Sequence, residues 1–200
     1  MNTLKHIKLY QWAIGITLVA LIVYAVSKTK FTAINGVKLD EKDIKPVDSV
    51  NDEAYIKRLH PKFRNLARAL INRVEDRLGL KMFITSGYRT YAEQEKLHKQ
   101  NPNNAKPGTS SHNFGFAFDV NVRDKNGNIV LRKSSSSKQW KDSGVIDIAK
   151  ELGMLWGGDG LFGGYHDPVH FFIKPNGKST VNLAALKKDN KVDVNGYVIV

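Results

Sequence analysis

Between Ile56 and Leu78, the apolar residues Ile56, Leu59, Phe63, Leu66, Leu70, Val74 and Leu78 recur at three- and four-residue intervals. That spacing marks one face of a helix, and its apolar stripe belongs to a core. Pro61 suits a first helical turn and Gly79 a stop, so the pattern predicts a short turn followed by a long helix over about 61–78. "KMFITS" (81–86) reads as a short strand. Thr90 with Glu93 three residues on forms a capping box and predicts a helix over about 91–100. Arg89 then stands at a strand-to-helix corner, where side chains point into clefts more often than into cores. "NPNNAKPGTS" (101–110) is loop by composition.

Residues 114–122 alternate. Phe114, Phe116, Phe118, Val120 and Val122 share one face, and Gly115, Ala117, Asp119 and Asn121 share the other. The first face is expected to pack on the core. The second is nearly bare up to Asp119, which predicts room for a ligand beside the backbone. A turn at Asn126-Gly127 follows, then a serine run at 134–137 read as flexible loop. A helix over about 138–152 carries Trp140, Ile148 and Leu152 and stops at Gly153. "VHFFI" reads as a strand after a glycine-built loop, and residues 177–200 form a C-terminal extension with a short helix and a final strand. Helices and strands mixed in this order give an α+β fold.

The first part of the chain follows another pattern. Residues 10–26 are apolar all round and carry no charge. Their length lies at the lower end of the roughly 17–25 residues of a membrane-spanning helix. The segment is expected to be a signal-anchor or a signal peptide. Ala25 and Ser27 offer a cleavage site before Lys28, and the Ile, Leu and Val content favours permanent anchoring. Residues 28–50 are polar and mixed in charge and are expected to be a linker, with the folded domain beginning near residue 51 and ending near 176. The chain is expected to act at the cell envelope, anchored in the inner membrane with its domain outside the cytoplasm, or secreted if the segment is cleaved.

Composition narrows the chemistry. The chain has 200 residues, 42% hydrophobic and 25% charged, which suits one globular domain with a core. There is no cysteine, so disulfides, thiol nucleophiles and thiolate metal sites are excluded. The net charge is +12, and basic residues within 1–30 account for part of it. No basic stripe with interleaved aromatics and no nucleic-acid module is present, so no nucleic-acid partner is expected, whereas an anionic wall polymer suits the charge.

The candidate metal ligands are His112, Asp119 and His170. Two imidazoles and one carboxylate give zinc three ligands and leave a fourth position open for water. The ligands would come from a loop, the strand after it and a second strand, so sheet pairing would have to unite them. Asp is depleted in strands, and a buried Asp119 needs a partner. His6, His60 and His98 are read as surface or hydrogen-bonded core residues. Spacing alone leaves a metal site and such ordinary roles equally open for the others.

Three blocks shift that balance. The stretch ending in "SHNFGFAFD" matches S-x-H-x-x-G-x-A-x-D, "HDPVH" ends in D-x-x-H, and "SGYRT" stands upstream. Together they resemble the M15 family of zinc peptidases over roughly residues 55–175. The resemblance implies a small, mostly antiparallel central sheet flanked by helices, the hedgehog/DD-peptidase-like arrangement, holding one Zn2+ per chain. It implies His112, Asp119 and His170 as zinc ligands and Asp167 as general base. Arg89 would steady the substrate carbonyl or carboxylate, and Ser111 would be the serine near the site. His166 has no assigned role. The implied substrate is the peptidoglycan stem peptide, cut between L-Ala and D-Glu by a monomer, in wall remodelling or phage-type lysis. The alternatives are a D-alanyl-D-alanine carboxypeptidase or dipeptidase of the same family and a non-catalytic zinc-containing wall-binding module.

Overall fold

A computed structural model describes residues 31–33 and 35–175. The segment 10–26 and the extension 177–200 lie outside the described residues. Among those described, no helix is long and apolar enough to cross a membrane.

The chain opens with a small hairpin, β1 (Phe31–Thr32) and β2 (Lys38–Leu39), and a helical turn, α1 (Glu41–Ile44). Helices α2 (Val50–Arg58) and α3 (Pro61–Leu78) follow, then β3 (Lys81–Ser86) and α4 (Tyr91–Gln100). A 3-10 turn (Ser111–Phe114) leads into β4 (Ala117–Arg123) and β5 (Ile129–Leu131). Two short helices, α5 (Ser137–Asp142) and α6 (Val145–Glu151), precede β6 (Leu155–Trp156) and β7 (His170–Phe172). The main sheet runs β3-β4-β7-β6 with β5 beside β4, and its described pairings are all antiparallel.

The long helix forms where its stripe predicts it. Phe63, Leu66, Leu70 and Val74 are fully buried, and Gly79 ends the helix in a left-handed conformation. Rings then link that helix to the sheet and to α5: Phe63 lies 5.8 Å from Phe118, Phe118 6.2 Å from Phe171, and Phe171 5.9 Å from Trp140. Each such side chain contributes about 1.5–3 kcal/mol by leaving water. His60 proves to be a core residue. It is buried, stacks on Phe116 at 4.3 Å and accepts from the Lys62 amide through Nδ1.

Five expectations are corrected. Residues 28–50 are not a linker throughout: from β2 onward the described residues are built into the fold. Leu39 and Val47 are buried in the core, and Arg73 on α3 grips Asp43 through two bonds of 2.8 and 2.6 Å. The helix expected over 138–152 is two helices, because Gly144 takes φ 80° between them. The serine run is not a featureless loop: Ser136 caps α5 in a capping box with Gln139.

The strand expected from residue 114 begins at 117. Gly115 turns left-handed (φ 69°), and a side chain there would meet the His60 amide nitrogen at 2.4 Å. Its bareness therefore makes room for the chain at 59–60, whose His60 N–H donates to the Gly115 carbonyl at 3.0 Å, and not for a ligand.

Candidate metal centre

Sheet register builds the site. β4 and β7 pair so that Asp119 stands directly opposite His170. Directly opposed residues point to the same face. The 3-10 turn before β4 brings His112 to that face. Ser110 starts the turn, its Oγ accepting from the His112 amide at 3.3 Å. The three side chains offer donor atoms that all lie within 4.8 Å of one another. His170 Nδ1 is 2.8 Å from Asp119 Oδ1 and 3.1 Å from His112 Nε2, which is itself 3.3 Å from Asp119 Oδ1.

The protonation pattern suits a cation. His112 Nδ1 lies 2.7 Å from the Gly87 carbonyl oxygen, which only accepts, so this nitrogen carries the proton and Nε2 presents its lone pair to the cluster. Burial, the largest influence on His112, outweighs the nearby Asp119 and pushes its pKa down, keeping the ring neutral. Burial also opposes the charge on Asp119, but the adjoining His112 and His170 outweigh it and hold the carboxyl well below the usual range. Two imidazoles and one carboxylate converging on one point fit a divalent metal such as zinc.

Of the other expected residues, Arg89 and Ser111 touch this cluster. Arg89 donates to Gln94 Oε1 at 2.8 Å and to Ser86 Oγ at 2.9 Å, and its guanidinium lies 3.6 Å from Asp119 Oδ2. It faces the outer carboxylate oxygen while the inner one faces the histidines. The spacing of S-x-H puts the pattern's serine at Ser110, the residue that caps the turn. It is the next residue, Ser111, whose Oγ faces His170 Nε2 at 3.4 Å.

Asp167 opens the turn that ends at His170, whose amide donates to the Asp167 carbonyl at 3.1 Å. Its Oδ1 is buried without a hydrogen-bond partner, and the Lys133 ammonium stands 3.6 Å from it. Gly157 permits this packing. A side chain there would meet the Asp167 carbonyl oxygen at 2.5 Å and His170 Cβ at 3.0 Å. His166 is exposed, with Nδ1 3.3 Å from the Gly158 carbonyl oxygen and 3.4 Å from Ser137 Oγ, and joins none of these groups. Phe162 sets its ring edge-on to His170 at 5.4 Å.

Sequence reasoning missed Gln94, Gly87, Gly157 and Lys133. Gln94 is buried and bridges Arg89 to the Ala105 carbonyl, to which its Nε2 donates at 2.7 Å. A glutamine inside a helix otherwise rich in charged residues carries no signal of that task.

An antiparallel sheet bearing a His-Asp-His cluster that could hold a metal defines an α+β protein, and similarity specifies which. A family model described as D-alanyl-D-alanine carboxypeptidase (Peptidase_M15_4) matches residues 103–173. The chain is 33% identical over 130 residues to the peptidoglycan L-alanyl-D-glutamate endopeptidase CwlK of Bacillus subtilis (strain 168), covering 59% of this chain and 75% of that protein. The chain belongs to the M15 peptidase family. Among solved structures, the L-Ala D-Glu endopeptidase ChiX of Serratia marcescens aligns with a TM-score of 0.48 and 21% identity, over 66% of this chain and 93% of that one. The D,D-pentapeptidase VanY in complex with Zn(II) aligns at 0.39 and 16%, over 78% and 84%.

Proposed function

We propose that this chain is a zinc peptidase that hydrolyses the L-Ala–D-Glu bond of peptidoglycan stem peptides. The observation that carries the reading is the convergence of His112, Asp119 and His170, with the Asp167 carboxylate, one oxygen of which accepts no hydrogen bond, three residues before His170. The relation to a peptidoglycan L-alanyl-D-glutamate endopeptidase supports the choice of bond. His112, Asp119 and His170 would hold one zinc ion, which when bound supplies positive charge and makes hydroxide available near pH 7.

The chain's own residues supply the rest. The Gly87 carbonyl fixes which nitrogen of His112 is bare. Asp167 takes the proton of the attacking water on its carboxylate and delivers it to the departing D-Glu amine. Arg89, held by Gln94 and Ser86, keeps Asp119 oriented and turns positive charge toward the oxygen of the carbonyl under attack. All donors come from one chain, so the scheme needs no second copy.

The description of the matched family model favours a second reading, release of a terminal D-Ala. Mass spectrometry of peptidoglycan fragments treated with the full chain in detergent, zinc-loaded, separates the two. New ends at L-Ala and D-Glu, absent with Asp167→Ala, are expected. Loss of D-Ala alone would establish the second reading, and zinc bound without any cleavage would point to a binding module. We also propose that residues 10–26 carry the domain across the inner membrane to the wall. Protease added to intact spheroplasts should then degrade it, and protection from that protease would refute this placement.

A further inference from the structure

Two cations border the site, and their surroundings differ. Arg89 is engaged on three sides, by Gln94, Ser86 and Asp119. Lys133, in the loop after β5, keeps 63% of its side chain exposed while its Nζ stands 3.6 Å from Asp167 Oδ1 and 5.7 Å from the centre of the Tyr165 ring. An ammonium carries three donors, so Asp167 and Tyr165 as partners still leave one for a ligand. Burial opposes its charge, but Asp167 outweighs this with help from Tyr165, so Lys133 stays protonated.

The proposed reaction fixes what lies next to Asp167. That carboxylate hands its proton to the D-Glu amine, so the amine must come within hydrogen-bond reach of it. The carbon bearing this amine also bears the α-carboxyl. Glutamate has two carboxyls, and a stem that continues through the side chain leaves the α-carboxylate free. A free carboxylate therefore arrives one carbon from the departing nitrogen, close to Asp167 and so to the ammonium that stands 3.6 Å from it.

Resting on the proposed endopeptidase reading, we propose that Lys133 is a specificity-determining residue that pairs with the free α-carboxylate of the D-Glu residue at the scissile bond. The pairing is a charge-assisted hydrogen bond, and it selects a stem carrying D-glutamate over one in which that carboxyl is a carboxamide. An amide in the same place meets Lys133 with its carbonyl oxygen alone and without a charge. Discrimination of this kind appears in kcat/KM.

The test uses two synthetic substrates, N-acetyl-L-alanyl-γ-D-glutamyl-L-lysine and its α-carboxamide counterpart, with the full chain, Lys133→Met and Lys133→Arg. The unmodified chain should prefer the carboxylate by roughly tenfold in kcat/KM, the size of one charge-assisted hydrogen bond in partly wet surroundings. Lys133→Met should erase that preference by losing rate on the carboxylate substrate, and Lys133→Arg should restore part of it. Equal loss on both substrates would show that Lys133 acts only through Asp167 and would overturn the proposal. So would an unchanged preference, or none in the unmodified chain; in these outcomes cleavage itself persists and the endopeptidase reading stands. If the zinc-loaded chain cuts neither substrate, the endopeptidase reading falls and this proposal with it, and release of terminal D-Ala from a stem pentapeptide assayed beside them would mark the alternative.

Discussion

Replacing Ser111 by alanine tests how the cluster prepares for a cation. His170 Nδ1 lies 2.8 Å from Asp119 Oδ1, so while that carboxylate is its partner the proton belongs on Nδ1 as a donor to it. A cation held by all three residues needs the Nδ1 lone pair, so the proton must sit on Nε2 instead. There the facing acceptor is Ser111 Oγ, 3.4 Å away and buried. With metal bound, alanine leaves that N–H without its acceptor; without metal it removes only the long hydroxyl contact to the bare Nε2. An unmet buried donor costs about 1–3 kcal/mol, and the long contact puts this one near the lower end. A loss of about 1.4 kcal/mol is tenfold in affinity, at the foot of the 10–100-fold range for partners of metal ligands. Competition for zinc with a chromophoric chelator should show that tenfold weakening, while metal-free Ser111→Ala melts within a few degrees of the unmodified chain. Nitrogen chemical shifts of His170 should report the proton moving from Nδ1 to Nε2 on zinc binding. Unchanged zinc affinity, or a proton already on Nε2 without metal, would refute the reasoning.

The further predictions concern stability. Asp43→Asn breaks the buried pair with Arg73 and should cost about 3 kcal/mol, a drop of about 10 °C in melting temperature, since removing one partner strands the other charge. Burial raises the Asp43 pKa, but Arg73 and the Asp40 amide outweigh it and hold it below 3.8; its contribution is therefore present above pH 3.8 and is lost as acid brings the pH through that lower value. A loss under about 1 kcal/mol in thermal melts would show that α1 is not part of the cooperative unit. Acid should also destabilise the metal-free site: the lowered His112 pKa means the unfolded chain binds the proton more readily, so its contribution is complete above 6.5 and declines below that pH. Chelating the metal should lower the melting temperature at pH 7 by an amount that grows with the zinc concentration it replaces, and a melt indifferent to chelator would remove the metal from the folded state.

What the sequence disclosed and what it withheld divide along the distance between interacting residues. The stripe of α3, the proline and glycine at its ends and the Thr90–Glu93 box are decided within a few residues, and each formed where expected. Gly144 is just as local, yet the apolar stripe runs on through Val145 and Ile148, so periodicity could not reveal that the axis breaks there. The region before α2 looked like tether because Leu39, Val47 and Asp43 are isolated in sequence. Asp43 meets Arg73 only once α3 has formed, thirty positions on.

The same division runs through the site. His112, Asp119 and His170 were legible because they stand in patterned blocks, although their meeting depends on the β4–β7 register. Lys133 stands in no block. It is an exposed lysine ahead of four serines, and its nearness to Asp167 exists only because the loop after β5 folds beside the turn before β7. Metal ligands must satisfy a coordination geometry and so leave a spacing in the chain. A cation that selects a carboxylate needs only to arrive in reach, and a flexible side chain can do that from many positions. Residues of the second kind are therefore where a reading of the chain alone falls short, and where the choice between D-glutamate and its amide would be set.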